Sequence, residues 1–176
     1  FGSSYPIKSY LYKLIVLGID PGTIAMGYGM VENVAEELTT SFYGSLSANR
    51  TDPIERRLAS LYHKILAIID NHSPEEVAIE EPFVARNPKT AIAVGQAQAV
   101  ALIAASSRKI PVSRYSPRQI KKSVTDHGDS SKEQVADMVK LILNCPDIEG
   151  SDDVTDALAV AICHHNNSLA GNFAGD

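Results

Sequence analysis

The sequence has no tryptophan, only two cysteines and only 6% aromatic residues in 176 positions. Cys145 and Cys163 cannot build the disulfide framework of a small secreted domain, so reduced thiols and a cytoplasmic location are expected. Uninterrupted apolar runs stay short of the ~18–20 residues of a membrane span, and no membrane is expected among the partners. Repeats and low-complexity linkers are also missing. With 44% hydrophobic and 21% charged residues, the chain has the make-up of one folded domain large enough to bury a core. Residues 1–13 have no pattern joining them to the first strand and are set aside as a leader or added remnant. A single domain is expected over 14–165, with a flexible tail at 166–176.

Positive charge is in deficit, at a net −5, which by itself argues against a polyanionic partner. Its distribution argues the other way. Residues 108–132 hold seven bases against two acids, +5, whereas residues 133–176 hold eight acids against Lys140, −7. A basic stretch beside an acidic one suits a phosphate-rich ligand held by lysines and bridged to carboxylates by metal ions.

The punctuation of the chain outlines the elements. "LIVLGID" (14–20) is a short apolar run closed by Asp-Pro-Gly and reads as a buried strand; "GYGMVEN" (27–33) and "LTTSFYGSLS" (38–47) complete an antiparallel meander. Asp52-Pro53 opens an amphipathic helix, and "EEVAIEE" (75–81) is a fourth strand. Asn87-Pro88 starts a helix to about Ser107, and "IPVSRY" (110–115) is strand five. Ser116-Pro117 caps a short basic helix, Ser131 begins another over 132–143, and a last helix runs from about Asp152 to His165. This order predicts an α/β fold, a five-stranded mixed sheet flanked by helices. The helix after Pro88 is apolar nearly all round, so it is either central to the core or covered by a partner; part of it is expected to be a dimer surface.

The last helix opens "SDDVTDALAVAI", crowding Asp152, Asp153 and Asp156 at its head. Asp153 and Asp156 share a face. Asp20 ends the first strand and Glu80 the fourth, and side chains at the carboxyl ends of neighbouring strands converge on one sheet edge. A final helix packing Ala157, Leu158, Ala161 and Ile162 on the sheet brings its aspartates there too. Four carboxylates within ~4–6 Å oppose one another's ionisation unless cations lie between them. Mg²⁺ takes such hard oxygen ligands where phosphate completes its shell, and two ions ~3.5–4 Å apart suit phosphodiester hydrolysis. Each piece alone has an ordinary structural explanation, such as a turn or a helix cap; the combination and order carry the reading. His164 lies on the aspartates' face but roughly 16 Å along the helix and is left out of the metal site.

Four stretches, "GIDPGTIAMGYGMVE", "AIEEPFVARNPKTAIAVGQAQAVA", "YSPRQIKKSV" with the lysine beyond it, and "DVTDALAVAICH", resemble the RuvC family of Holliday-junction resolvases over about residues 14–165. The resemblance implies an RNase H-like fold, a homodimer, two Mg²⁺ per active site with Mn²⁺ able to substitute, and paired symmetric nicks in four-way junction DNA. It also allows a branch-migration motor complex as partner. Asp20, Glu80, Asp153 and Asp156 match the family's catalytic, metal-holding acids. Lys121 and Lys132 match lysines that approach the scissile phosphate, with Lys132 in the catalytic set; Arg118 and Lys122 are further phosphate candidates. Phe83 matches an aromatic that stacks on bases near the crossover. One departure is "TDHGDSS" (125–131), where Asp126 and Asp129 add negative charge near the expected DNA path. Alternatives remain: an RNase H-like nuclease acting on RNA or RNA/DNA hybrid, and a non-catalytic junction-binding protein. An actin-type phosphotransferase also starts "GIDxGT" but would need a second phosphate loop and a far longer chain.

Overall fold

The computed structural model describes residues 13–35, 37–81 and 88–173. Five strands, β1 (Ile15–Asp20), β2 (Ala25–Val34), β3 (Glu37–Ser47), β4 (Glu76–Glu80) and β5 (Val112–Tyr115), form one sheet in the order β3-β2-β1-β4-β5. The β1–β2 and β2–β3 pairs are antiparallel, whereas β4 joins β1, and β5 joins β4, in parallel. The first three strands are a meander and the parallel ones follow helical crossovers, as short turns and long connections respectively require.

The helices are α1 (Ile54–His72), α2 (Pro88–Ser107), α3 (Pro117–Thr125), α4 (Lys132–Ile142) and α5 (Asp152–Phe173). Capping boxes fix two of their starts: Ser116 with Gln119 begins α3, and Ser131 with Gln134 begins α4. Strand periodicity then divides the core. Leu17, Ile19, Val77 and Ile79 face α1 and α2, while Val16 and Ala78 face the layer of α3, α4 and α5. Counting on by two from Val16 and Ala78 puts Asp20 and Glu80 on the α5 side.

Two glycines let α5 lie close to the sheet. A Cβ on Gly18 would collide with the carbonyl oxygen of Ala157, and one on Gly27 with that of Asp153. Side chains at these positions would lift the head of the helix, and its aspartates, away from the strand ends.

Two expectations need correction. The tail expected from residue 166 is helical as far as Phe173. Asn166 Nδ2 donates to the carbonyl and Oγ of Ser123, both at 3.1 Å, and Asn167 Nδ2 donates to the Cys163 carbonyl at 2.7 Å, so polar residues anchor the extension. Second, α2, at 20 residues, is long and apolar enough to cross a membrane by length and composition. It packs along α1, burying Ala97, Ala101, Ala104 and Ala105 in the core of that face.

Candidate active site

Parallel pairing sets Ile19 beside Ile79, so Asp20 and Glu80 leave the ends of adjacent strands side by side. Asp156 comes down on them from the first turns of α5. Asp20, Glu80 and Asp156 line a cleft of about 790 Å³ whose other wall is built by α3, α4 and the turn between them, including Arg118, Lys121, Asp129 and Lys132. Asp153, one turn nearer the helix start, is not among the lining residues; its Oδ2 accepts from Ser151 Oγ at 3.2 Å. It is near enough to bear on Asp20 electrostatically.

Charge is strained here. Burial, compounded by Glu80, Asp156 and Asp153, pushes the Asp20 carboxyl up to about 8, with Lys132 opposing. Burial and Asp156 push Glu80 up to about 7, opposed by Lys132 and Lys121. Lys132 Nζ donates to Asp156 Oδ2 at 3.0 Å, a bond that raises the lysine further. Among the described residues no three His, Cys, Asp or Glu side chains already form a closed coordination set. The donors nonetheless fit a hard divalent cation. They are all carboxylate oxygens, and two are half-buried where a cation or a proton offsets their mutual repulsion.

The basic residues divide. Lys121 Nζ donates to the Ser130 carbonyl at 2.7 Å and lies along the cleft. Arg118 packs its side chain against Gly128, where a Cβ would come within 2.8 Å of its Cγ. Lys122 is exposed and does not line the cleft. Phe83 lies outside the described residues.

Sequence reasoning passed over one polar network. His164 is buried, with Nε2 2.6 Å from Glu76 Oε2 and Nδ1 2.8 Å from Tyr115 Oη. A carboxylate can only accept, so His164 Nε2 is the donor to Glu76. The network ties α5 to β4 and β5, away from the acids. The period of two that places Glu80 inward also places Glu76 there, but nothing local joins it to a residue 88 positions on.

A mixed sheet with carboxylates gathered at the ends of its central strands, under a basic wall, defines a hydrolytic nuclease of the RNase H-like class. Residues 16–164 match the family model described as crossover junction endodeoxyribonuclease RuvC, and the chain belongs to that family. The crossover junction endodeoxyribonuclease RuvC of Dehalococcoides mccartyi is 48% identical over 158 residues, covering 90% of this chain and 95% of the relative. That of Desulfitobacterium hafniense is 42% identical over 163 residues, 92% of this chain and 99% of the relative. The structure of T. thermophilus RuvC in complex with Holliday junction substrate is similar at a TM-score of 0.83 and 32% identity, covering 90% of this chain and 96% of that one.

Proposed function

We propose that this chain is a structure-selective DNA endonuclease that resolves four-way junctions by paired symmetric nicks, with Asp20, Glu80, Asp153 and Asp156 holding two Mg²⁺ ions. The observation that carries the reading is the convergence of Asp20, Glu80 and Asp156 in one cleft, with two carboxyls pushed up to about 8 and 7. When bound, divalent cations there supply activation of water for attack on phosphorus and charge stabilisation at the departing 3′ oxygen. The chain's own residues do the rest. Asp20 and Glu80 are held by adjacent strands, so their spacing is set by the sheet. Lys132 bridges to Asp156 in the free protein and turns to the scissile phosphate in the complex, neutralising charge that develops on its oxygens. Lys121 and Arg118 hold the neighbouring backbone, and Phe83 stacks on a base beside the crossover.

An acid cluster cuts any phosphodiester presented to it, so junction selectivity has to come from two sites at a fixed separation, that is, from a symmetric dimer. α2 supports that role. Ile92 and Ile103 are 64% and 59% exposed on one stripe of a helix whose opposite side is core, with Ala99 between them.

The deciding experiment incubates the protein with a mobile four-way junction, a linear duplex and an RNA/DNA hybrid, each with and without Mg²⁺. Paired nicks in the junction alone, dependent on Mg²⁺, from a protein that sediments as a dimer, are expected. Preferential cutting of the hybrid would transfer the reading to an RNase H-like activity, and binding without nicking would make the protein a junction binder.

A further inference from the structure

Across the sheet, Asp20 pairs with Gly27 and Gly27 with Ser45. Two antiparallel steps leave β3 pointing the same way as β1, so β3 ends at the edge where Asp20 stands. α1 starts seven residues after Ser47 and packs with α2 on the face opposite α5. The head of α1 therefore sits at the carboxylate edge of the sheet, on the other side from the lysines.

Three arginines lie on the segment that leads into and opens α1. Arg50 and Arg56 are exposed, and Arg57 is half-buried. Arg57 Nη1 donates to Thr23 Oγ1 at 3.4 Å, and Thr23 lies three residues past Asp20 in the turn to β2. Arg57 Nε is shielded from solvent and has no acceptor among the described residues. Although Asp52 and Glu55 are close in sequence, none of the three arginines forms an ion pair with a carboxylate among the described residues. Arg108 behaves differently: at the far end of α1 it closes on Asp70 through two bonds of 2.6 and 2.8 Å. A guanidinium with one long hydrogen bond and an orphan donor is under-satisfied. Three guanidinium groups kept out of ion pairs beside a nuclease cleft have the chemistry of phosphate recognition.

We propose that Arg50, Arg56 and Arg57 form a second phosphate-binding patch that holds a DNA arm on the α1 side of the cleft, opposite Lys121 and Lys132. The inference rests on the junction-nuclease reading and adds a contact surface to it. DNA crossing the sheet edge is gripped from both faces, and the α1 patch touches backbone only, so it adds affinity without sequence preference.

The test is the double variant Arg50→Gln/Arg56→Gln, whose side chains are exposed and outside the catalytic machinery. Junction affinity is measured by fluorescence anisotropy between 50 and 200 mM salt with Ca²⁺ in place of Mg²⁺, and cleavage separately at saturating junction with Mg²⁺. The slope of log affinity against log salt should fall by about 1–2 units, at ~0.9 per lost phosphate contact, with cleavage within about twofold of wild type. Arg108→Gln, at the opposite edge, should leave the slope unchanged. A double-variant slope equal to wild type overturns the patch while leaving the nuclease reading in place. A wild-type protein that neither binds nor cuts the junction overturns that reading and the patch with it.

Discussion

The acid floor of the cleft and its basic wall are built on opposite principles. The floor comes from strand ends and a helix seated on glycines, with Asp20 and Glu80 half-buried and pushed up to about 8 and 7. The wall comes from short capped helices, with the Lys132 side chain 65% exposed and Lys121 bonded to a turn carbonyl. A half-buried, electrostatically strained floor suits a fixed set of cation ligands, and an exposed basic wall suits a substrate that must enter and leave. Substitutions on the floor should therefore abolish chemistry and spare binding, while those on the wall should grade from chemistry toward binding.

The largest effect is expected from Asp20→Asn, which removes one of the proposed cation ligands and keeps the shape. Single-turnover cleavage of a junction should fall by at least about 10²–10³-fold, with affinity within about threefold of wild type. Comparable losses in binding and cutting would erase the distinction between floor and wall. Lys132→Ala should cost roughly 10-fold to 10²-fold in the cleavage step, since its ammonium is already paired with Asp156 in the free protein. An unaltered single-turnover rate would take Lys132 out of the chemistry.

Titration sharpens the contrast further. The Asp20 carboxyl rises from an ordinary 3.8 to about 8, and that of Glu80 from 4.5 to about 7, so between those limits the folded protein keeps protons that the unfolded chain has released. The stability this contributes is full below the unfolded values and is lost as pH climbs to about 8. In EDTA, the melting temperature should be higher at pH 6 than at pH 8.5 by at least about 4 °C, with a flatter dependence in Asp20→Asn. The same drop in that variant, measured by scanning fluorimetry, would place the titration elsewhere. The smallest effect belongs to Lys121→Ala. Its salt-dependence slope for junction binding should fall by about 0.9, and cleavage at saturation should barely move; an unchanged slope removes Lys121 from the interface.

Local chemistry explains how much of the molecule is legible in its sequence. Asp-Pro-Gly after β1, Asp52-Pro53 before α1, Ser116-Pro117 at α3 and Ser131 before α4 are short-range signals, and the elements end or begin where those signals put them. The convergence of Asp20 and Glu80 is legible too, because strand periodicity and parallel pairing fix both direction and edge. The end of α5 is not. "HHNNS" looks like a fraying terminus, and only tertiary contacts such as Asn166 with Ser123 extend it. Nor can the chain order reveal that Lys132 closes on Asp156, 24 positions away, or that His164 serves Glu76 and Tyr115. Such pairings are products of packing, and α2 shows the same limit: its composition fits a membrane span, and its burial along α1 makes it part of a core.

The central claim, that acids from three distant segments share bound cations, is tested most directly by soaking crystals in Mn²⁺ and recording anomalous scattering. Peaks among Asp20, Glu80, Asp153 and Asp156, absent from Asp20→Asn crystals treated the same way, are the expected result. Manganese bound elsewhere, or acids that stay paired with Lys132 and empty of metal at saturating Mn²⁺, would contradict it.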